Sequence, residues 1–296
     1  MIRRLYDQPW LLLTLCALFW GGNAVASRIA VGEIDPFMLV LLRWLGVALA
    51  MWLLFGHEVR AHWSALKPRL GWLVLVATTG FTIFNALFYI AGHSTSAVNI
   101  GILQGAMPVM VLIGALIAYR DPVSSVQALG VGTTLVGVIV IASKGDLETL
   151  LALKINAGDG LMLIAGGCYS FYAVMLRQRP DIPGRAFFTA TAIVALASSF
   201  PLAAAEALTQ GPSWPTLNGW LITLYVAIFP SCLSQLFFLR GVDLIGPGRA
   251  GVFINLVPVF ASLLAISLLG EAFEWFHGVA MVLVLGGIWL AQRQPS

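Results

Sequence analysis

The chain has 296 residues, 59% of them hydrophobic and only 10% charged, with a mean hydropathy of +0.92 and a net charge of +3. A water-soluble domain has roughly a quarter of its residues charged, so a soluble globular fold is excluded. The basic residues are spread along the chain and form no face interleaved with aromatic residues, which excludes nucleic-acid binding.

No Asp, Glu, Lys or Arg occurs from Leu70 to Tyr119, Pro122 to Ser143, Ala207 to Leu239, or Ala250 to Gly270. A bilayer core needs roughly 20 apolar helical residues, so the first run predicts two spans and the others about one each. Both faces of segments such as Val131 to Ile141 are apolar, whereas barrel strands alternate. Helices remain, because each satisfies its own backbone in lipid. Ten spans are predicted, at 9–31, 35–55, 70–91, 95–118, 123–143, 158–177, 184–205, 217–240, 246–268 and 273–292.

The first span follows Arg3 and Arg4 and holds Trp20-Gly21-Gly22-Asn23 and Arg28. Ala24-Val25-Ala26 also suits a secretory cleavage site, but the stretch is long enough to span and the spanning reading is favoured. The second span opens at Asp35-Pro36, where proline suits a helix start, and contains Arg43. Spans three and four carry Asn85, Asn99 and Gln104, with Pro108 in mid-span. Asp121-Pro122 precedes the fifth. Pro180 and Pro183 separate the sixth from the seventh, the eighth carries Gln235, and the ninth holds Asn255 and a second mid-span proline, Pro258.

With the N-terminus in the cytoplasm, twelve of the sixteen basic residues fall on the inner side, and Arg28, Lys144 and Lys154 on the outer. The positive-inside rule therefore predicts cytoplasmic termini and an even number of spans. The cysteines Cys16, Cys168 and Cys232 all fall within spans and are odd in number, so neither a disulfide framework nor a metal or other cofactor site is implied.

Laid on itself at a shift of 150, the chain brings Phe88 onto Phe238, Gly101 onto Gly251, Pro108 onto Pro258, Gly137 onto Gly287 and Asp121 onto Glu271. A shift of 149 places Trp20 on Tyr169, Asn23 on Tyr172 and Arg28 on Arg177. Residues 1–145 and 146–296 thus read as two five-helix units. Five is odd, so the second unit enters the membrane from the opposite side. Inverted repeats of this kind typify secondary transporters, with the site near the midplane between the halves.

These features together resemble the drug/metabolite transporter superfamily, EamA type: Trp20-Gly21-Gly22-Asn23 with Arg28, Pro36 followed by Arg43, Pro108, Pro258, Glu271, and the glycines at 130, 137 and 287. The overall match is close to the YddG-like exporters of aromatic and other amino acids in bacterial inner membranes. The resemblance implies an all-α integral membrane protein of ten helices in two inverted repeats. It also implies export of a small metabolite through a central cavity surrounded by spans one, three, four, six, eight and nine. The second half departs from the pattern at Ala280, opposite Gly130, and has nothing equivalent to Arg43 near Thr191.

Amide side chains supply donors and acceptors without fixed charge, so Asn23, Asn85, Asn99, Gln104, Gln235 and Asn255 are candidates for holding a zwitterionic amino acid. Each alone also suits helix–helix contact. Trp20, Phe88, Tyr89, Tyr169, Tyr172 and Phe238 are candidates for an aromatic cavity wall, whereas Trp10, Trp63, Trp72 and Trp214 read as interfacial anchors. Pro108 and Pro258 suit hinges or static kinks. Arg43 is the one charge at membrane depth. A substrate carboxylate contact and a structural bond to helix-end carbonyls both account for it, and the structural role is favoured. Gly101, Gly105, Gly130 and Gly137 predict close helix contacts, within one chain or between two.

All thirteen acidic residues fall in predicted loops or at span ends, so a buried proton relay is not expected. Transport down the substrate gradient, or coupling through a boundary residue such as Glu206 or Asp159, follows. A different cargo, such as purine nucleosides or drugs, is the alternative. A lipid-modifying enzyme would need reactive groups at membrane depth, and an ATP-driven pump would need a phosphate-binding loop; neither is present. The expected partners are a small-molecule substrate and the lipid bilayer, without ATP or nucleic acid, and a monomer is compatible with the sequence.

Overall fold

The computed structural model describes residues 6–120, 123–146, 156–211 and 213–291, without the side chains of Pro247 and Gly248. Arg3, Arg4, Asp121-Pro122, Lys154 and Arg293 lie outside the described residues. Nine described helices are long and apolar enough to cross a membrane: α1 (Pro9–Ile29), α2 (Pro36–Ala61), α3 (Trp63–Ala91), α4 (Ala97–Tyr119), α5 (Ser125–Ala142), α6 (Ala157–Gln178), α7 (Gly184–Gln210), α8 (Leu217–Ile245) and α9 (Arg249–Leu269). A shorter apolar helix, α10 (Trp275–Ala291), completes the ten predicted spans.

Local sequence sets the helix starts. Pro9 and Pro36 occupy first-turn positions where a missing N–H is harmless. Ser124 and Gln127 form a capping box on α5, and the side chains of Ser96, Asn156 and Thr216 cap α4, α6 and α8. The largest departures from prediction are that α3 begins at Trp63 instead of 70, and that α2 and α7 continue several residues past the expected ends at 55 and 205. Hydropathy marks where a helix leaves lipid, not where it stops. The end of α2 persists because Glu58 pairs with Arg185 at the start of α7, 3.1 Å away.

The packing displays the inversion. A side chain at Gly130 would meet Ala291, at Gly137 it would meet Val284, and at Gly287 it would meet Thr134. Numbers rise on α5 as they fall on α10, so these equivalent helices run antiparallel. Gly101 against Ala261 and Gly105 against Pro258 give the same order for α4 and α9. These glycines therefore make contacts within one chain. Helices α1 with α8, and α6 with α3, form two further related pairs, and α2 packs on its equivalent α7. Cys16 donates to the Ser234 carbonyl (3.3 Å) and Trp20 to the Pro230 carbonyl (3.1 Å) along the first of these pairs.

The helix ends sort onto two faces. On the terminal face Arg240 meets Asp7 (2.5 Å), Arg69 donates to the Gln178 carbonyl, and Gln178 donates to Tyr119 (3.1 Å). On the far face Arg28 donates to the Gly92 carbonyl, Asn156 donates to the Ser94 carbonyl (2.6 Å), and the Thr216 N–H donates to the Glu33 carbonyl (3.0 Å). Thr216 and Asn218 also donate to the Glu33 carboxylate, which holds its pKa below the usual carboxylate range. Trp10, Trp63 and Trp214 are exposed near helix ends, as interfacial anchors are.

Four helices are interrupted where the two halves meet. In α4 the helix breaks at Ala106 and restarts at Met107 with Pro108 in its first turn. In α9 a tight turn at Phe253–Leu256 precedes the restart at Val257, with Pro258 placed likewise. Widened π-helical turns occur at Thr78–Ile83 in α3 and Ala227–Leu233 in α8, equivalent positions of the two repeats. A further π-helical turn, Ala265–Leu269, ends α9.

Candidate functional site: a central cavity between the halves

A cavity of about 570 Å³ lies among these interruptions. Its wall includes Trp20, Asn23, Asn85, Gln104, Pro108, Tyr169, Tyr172, Gln235 and Phe238, all singled out from sequence, together with Arg43. It reaches Ala115, Arg177 and Ala291 near the terminal face, while no residue of the far-face links at 30–35, 92–96, 211–216 or 270–274 lines it. Most of the wall is apolar: the ring of Phe81 packs on Tyr172 and Phe188 at centroid distances of 5.0 and 6.1 Å, and that of Phe84 on Tyr169 at 5.5 Å.

The remaining candidates lie outside the wall. Phe88 is buried behind Phe84. Tyr89 is buried beside the wall, where it donates to Asn23 Oδ1 (3.0 Å) and accepts from Arg43. Asn255 and Pro258 are absent from the wall, although Pro258 packs on Gly105 of α4. Asn99 belongs to a polar cluster on the far face, described below.

Arg43 is 5% exposed. Its Nε donates to Ser231 Oγ (2.7 Å), and its Nη1 donates to Asn85 Oδ1 and Tyr89 Oη (both 2.6 Å). These partners are side chains from both halves. The helix-end carbonyls expected from sequence are not among them, because side-chain oxygens of α3 and α8 reach the guanidinium instead. Each acceptor is held by a bond of its own: Ser231 donates to the Val226 carbonyl (2.5 Å), Asn85 to the Phe81 carbonyl (2.6 Å) and Tyr89 to Asn23. The bond from Ser231 reaches back five residues, as does that from Ser234 to the Phe229 carbonyl. That spacing belongs to a π-helical turn, which often marks a functional site. Ser231 and Pro230 escaped the sequence reading. The signal was there in Pro230, a mid-span proline at a shift of 150 from Gly80, within the other π-helical turn.

The carboxylates require a correction. Asp159 and Glu206 do sit near helix ends, yet they are 0% and 6% exposed. Ends pack against other ends, so a terminal position does not mean contact with water. Glu206 accepts from the N–H groups of Phe37 and Met38 at the start of α2, and Glu271 accepts from those of Ala97 and Val98 at the start of α4. Unpaired N–H groups and the helix dipole favour an anion there. Arg28 Nε lies 3.8 Å from Glu271. Asp159 accepts from Thr95 (2.5 Å) and Asn99 (3.2 Å), and Asn99 Oδ1 faces His277 Nε2 (3.1 Å). The Glu274 N–H donates to His277 Nδ1, which leaves Nε2 as the ring donor to Asn99. These bonds join α1, α4, α6 and α10 into a seal across the far face.

The EamA-like transporter family matches twice, over residues 8–143 and 156–292. Among curated relatives, the uncharacterised transporter YyaM of Bacillus subtilis is 26% identical, covering 94% of this chain and 92% of its own. An uncharacterised transporter of Archaeoglobus fulgidus is 28% identical over 96% and 97% of the two chains. The uncharacterised inner membrane transporter YedA of Escherichia coli K12 is 26% identical over 94% and 90%. A solved crystal structure has the same fold, with a TM-score of 0.64 at 19% identity, covering 95% of this chain and 96% of the other. The double match, the antiparallel pairing of equivalent helices and the cavity between them agree: this multi-pass membrane protein is a member of the EamA-like transporter family.

Proposed function

We propose that the protein exports small metabolites across the bacterial inner membrane by alternating access, with neutral and aromatic amino acids first among its cargo. The observation that carries this reading is the cavity: about 570 Å³ suits a small metabolite, and its wall combines aromatic rings with amides. Nine described basic residues lie at helix ends on the terminal face, against Arg28 and Lys144 on the far face. That bias supports cytoplasmic termini and a cavity that loads from the cytoplasm. The inner-membrane location is also supported by the Escherichia coli relative, an inner membrane transporter.

Proteoliposomes loaded with labelled phenylalanine, methionine, threonine or a purine nucleoside test the cargo, with and without a pH gradient. Phenylalanine and methionine are expected to leave down their gradients faster than from protein-free liposomes. Failure of all three amino acids while the nucleoside moves would replace the amino-acid reading. Efflux that requires a pH gradient would replace simple facilitation with proton coupling.

A further inference from the structure

A buried guanidinium is costly unless its charge and its donors are answered. Arg43 takes part in none of the ion pairs among the described residues. Its Nε and Nη1 donors meet three neutral oxygens, leaving the two N–H groups of Nη2 without a partner among those residues. The three acceptors are held in place by their own donated bonds, so the guanidinium is positioned without being neutralised. The ring faces of Trp44 and Tyr89, 5.7 and 5.9 Å from the guanidinium carbon, attract the charge but take neither Nη2 donor. Arg43 lines a cavity.

We propose that Arg43 is the carboxylate anchor of the cavity, so that the cargo is a small carboxylate or zwitterion whose acid group seats on Nη2. The proposal rests on the transport reading above and narrows its substrate class. A charge-assisted bond to a carboxylate is about twice as strong as a neutral one. The two remaining donors serve one carboxylate without displacing Ser231, Asn85 or Tyr89. Gln104, also in the wall, has a buried Oε1 with no partner, an acceptor suited to the ammonium of a zwitterion. Trp20, Phe81, Phe84 and Tyr172 leave an apolar wall for the side chain. An uncharged nucleoside offers Arg43 neutral acceptors but no charge to pair with.

Calorimetry on the purified full-length protein tests the anchor, using phenylalanine, 3-phenylpropionate, phenylalaninamide and phenethylamine as probes. The two carboxylates are expected to bind, with the amide and amine weaker by about 30-fold or more. Binding of phenylalaninamide within about threefold of phenylalanine overturns the anchor and leaves the amino-acid reading intact. Binding of 3-phenylpropionate without phenylalanine does the reverse. Absence of binding by both carboxylates overturns the anchor as well. Arg43→Gln is expected to erase the preference for acid over amide, and Arg43→Lys to keep part of it. An undiminished preference in folded Arg43→Gln protein overturns the proposal. Should that variant fail to fold, the probe series on the unaltered protein decides alone.

Discussion

Gly287 shows how little room the two halves leave each other. A Cβ built there would lie 2.3 Å from Thr134 Oγ1, 2.6 Å from the Gly130 carbonyl oxygen and 2.7 Å from the Thr134 nitrogen. Two of these atoms are backbone and cannot swing aside, so Gly287→Ala must push α10 away from α5. Overpacking of this kind costs about 1–3 kcal/mol. A lowered midpoint of thermal unfolding in detergent is expected, and an unchanged midpoint would show that the helices part freely. Gly251, equivalent by repeat to Gly101, has nothing within 4 Å of its Cβ position, and Gly251→Ala serves as the tolerated control. Gly130 and Gly137 were legible as packing residues because a small side chain in an apolar helix has few other uses, and Gly287 only as the repeat match of Gly137. Tyr89 was legible only as an aromatic. Its hydroxyl bonds join residues 23, 43 and 89, and no local pattern encodes a contact across three helices.

At the scale of helices, the ten spans followed from hydropathy because lipid admits few alternatives. The interruptions followed only in part. Pro108 and Pro258 announced theirs, and each occupies a first-turn position where its missing N–H breaks no bond. The π-helical turns of α3 and α8 left only Pro230 as a sign, since one extra residue in a turn leaves the apolar pattern almost unchanged. They nevertheless carry much of the site: Phe81 orients Asn85, and Ser231 accepts from Arg43. The placement of Pro258 makes Pro258→Ala a clean test of a hinge. Alanine would regain an N–H without straining the fold, so thermal stability should shift by less than about 1 kcal/mol. If the restart of α9 bends during transport, phenylalanine counterflow should slow several-fold, because alanine permits the helix to close over the break. An unchanged rate would make the break a static kink.

At the scale of the whole molecule, the cavity reaches toward the terminal face while the far face is sealed. Inverted repeats can exchange conformations, so transport requires the far-face seal to open and an equivalent seal to form on the terminal face. The seal was not legible in the sequence: Asp159 and Glu271 read as boundary residues, and burial at a boundary depends on which ends meet. Glu271 brings a charge to the seal: its carboxylate holds the start of α4 and lies beside Arg28 of α1. Glu271→Gln keeps an oxygen for one N–H but removes the charge that the helix dipole and Arg28 attract. That loss is worth about 1–2 kcal/mol, which moves a two-state equilibrium roughly 5- to 30-fold toward the open far face. Ala97, the first residue of α4, is fully buried against this seal. In a background without the three native cysteines, Ala97→Cys should react slowly with an impermeant maleimide added from the far face. Adding Glu271→Gln should raise that rate by roughly 5- to 30-fold while slowing the labelling of Ala115→Cys from the terminal face. Equal labelling with and without Glu271 would mean that the far face is held shut by packing, and the carboxylate would then be a helix cap without a part in gating.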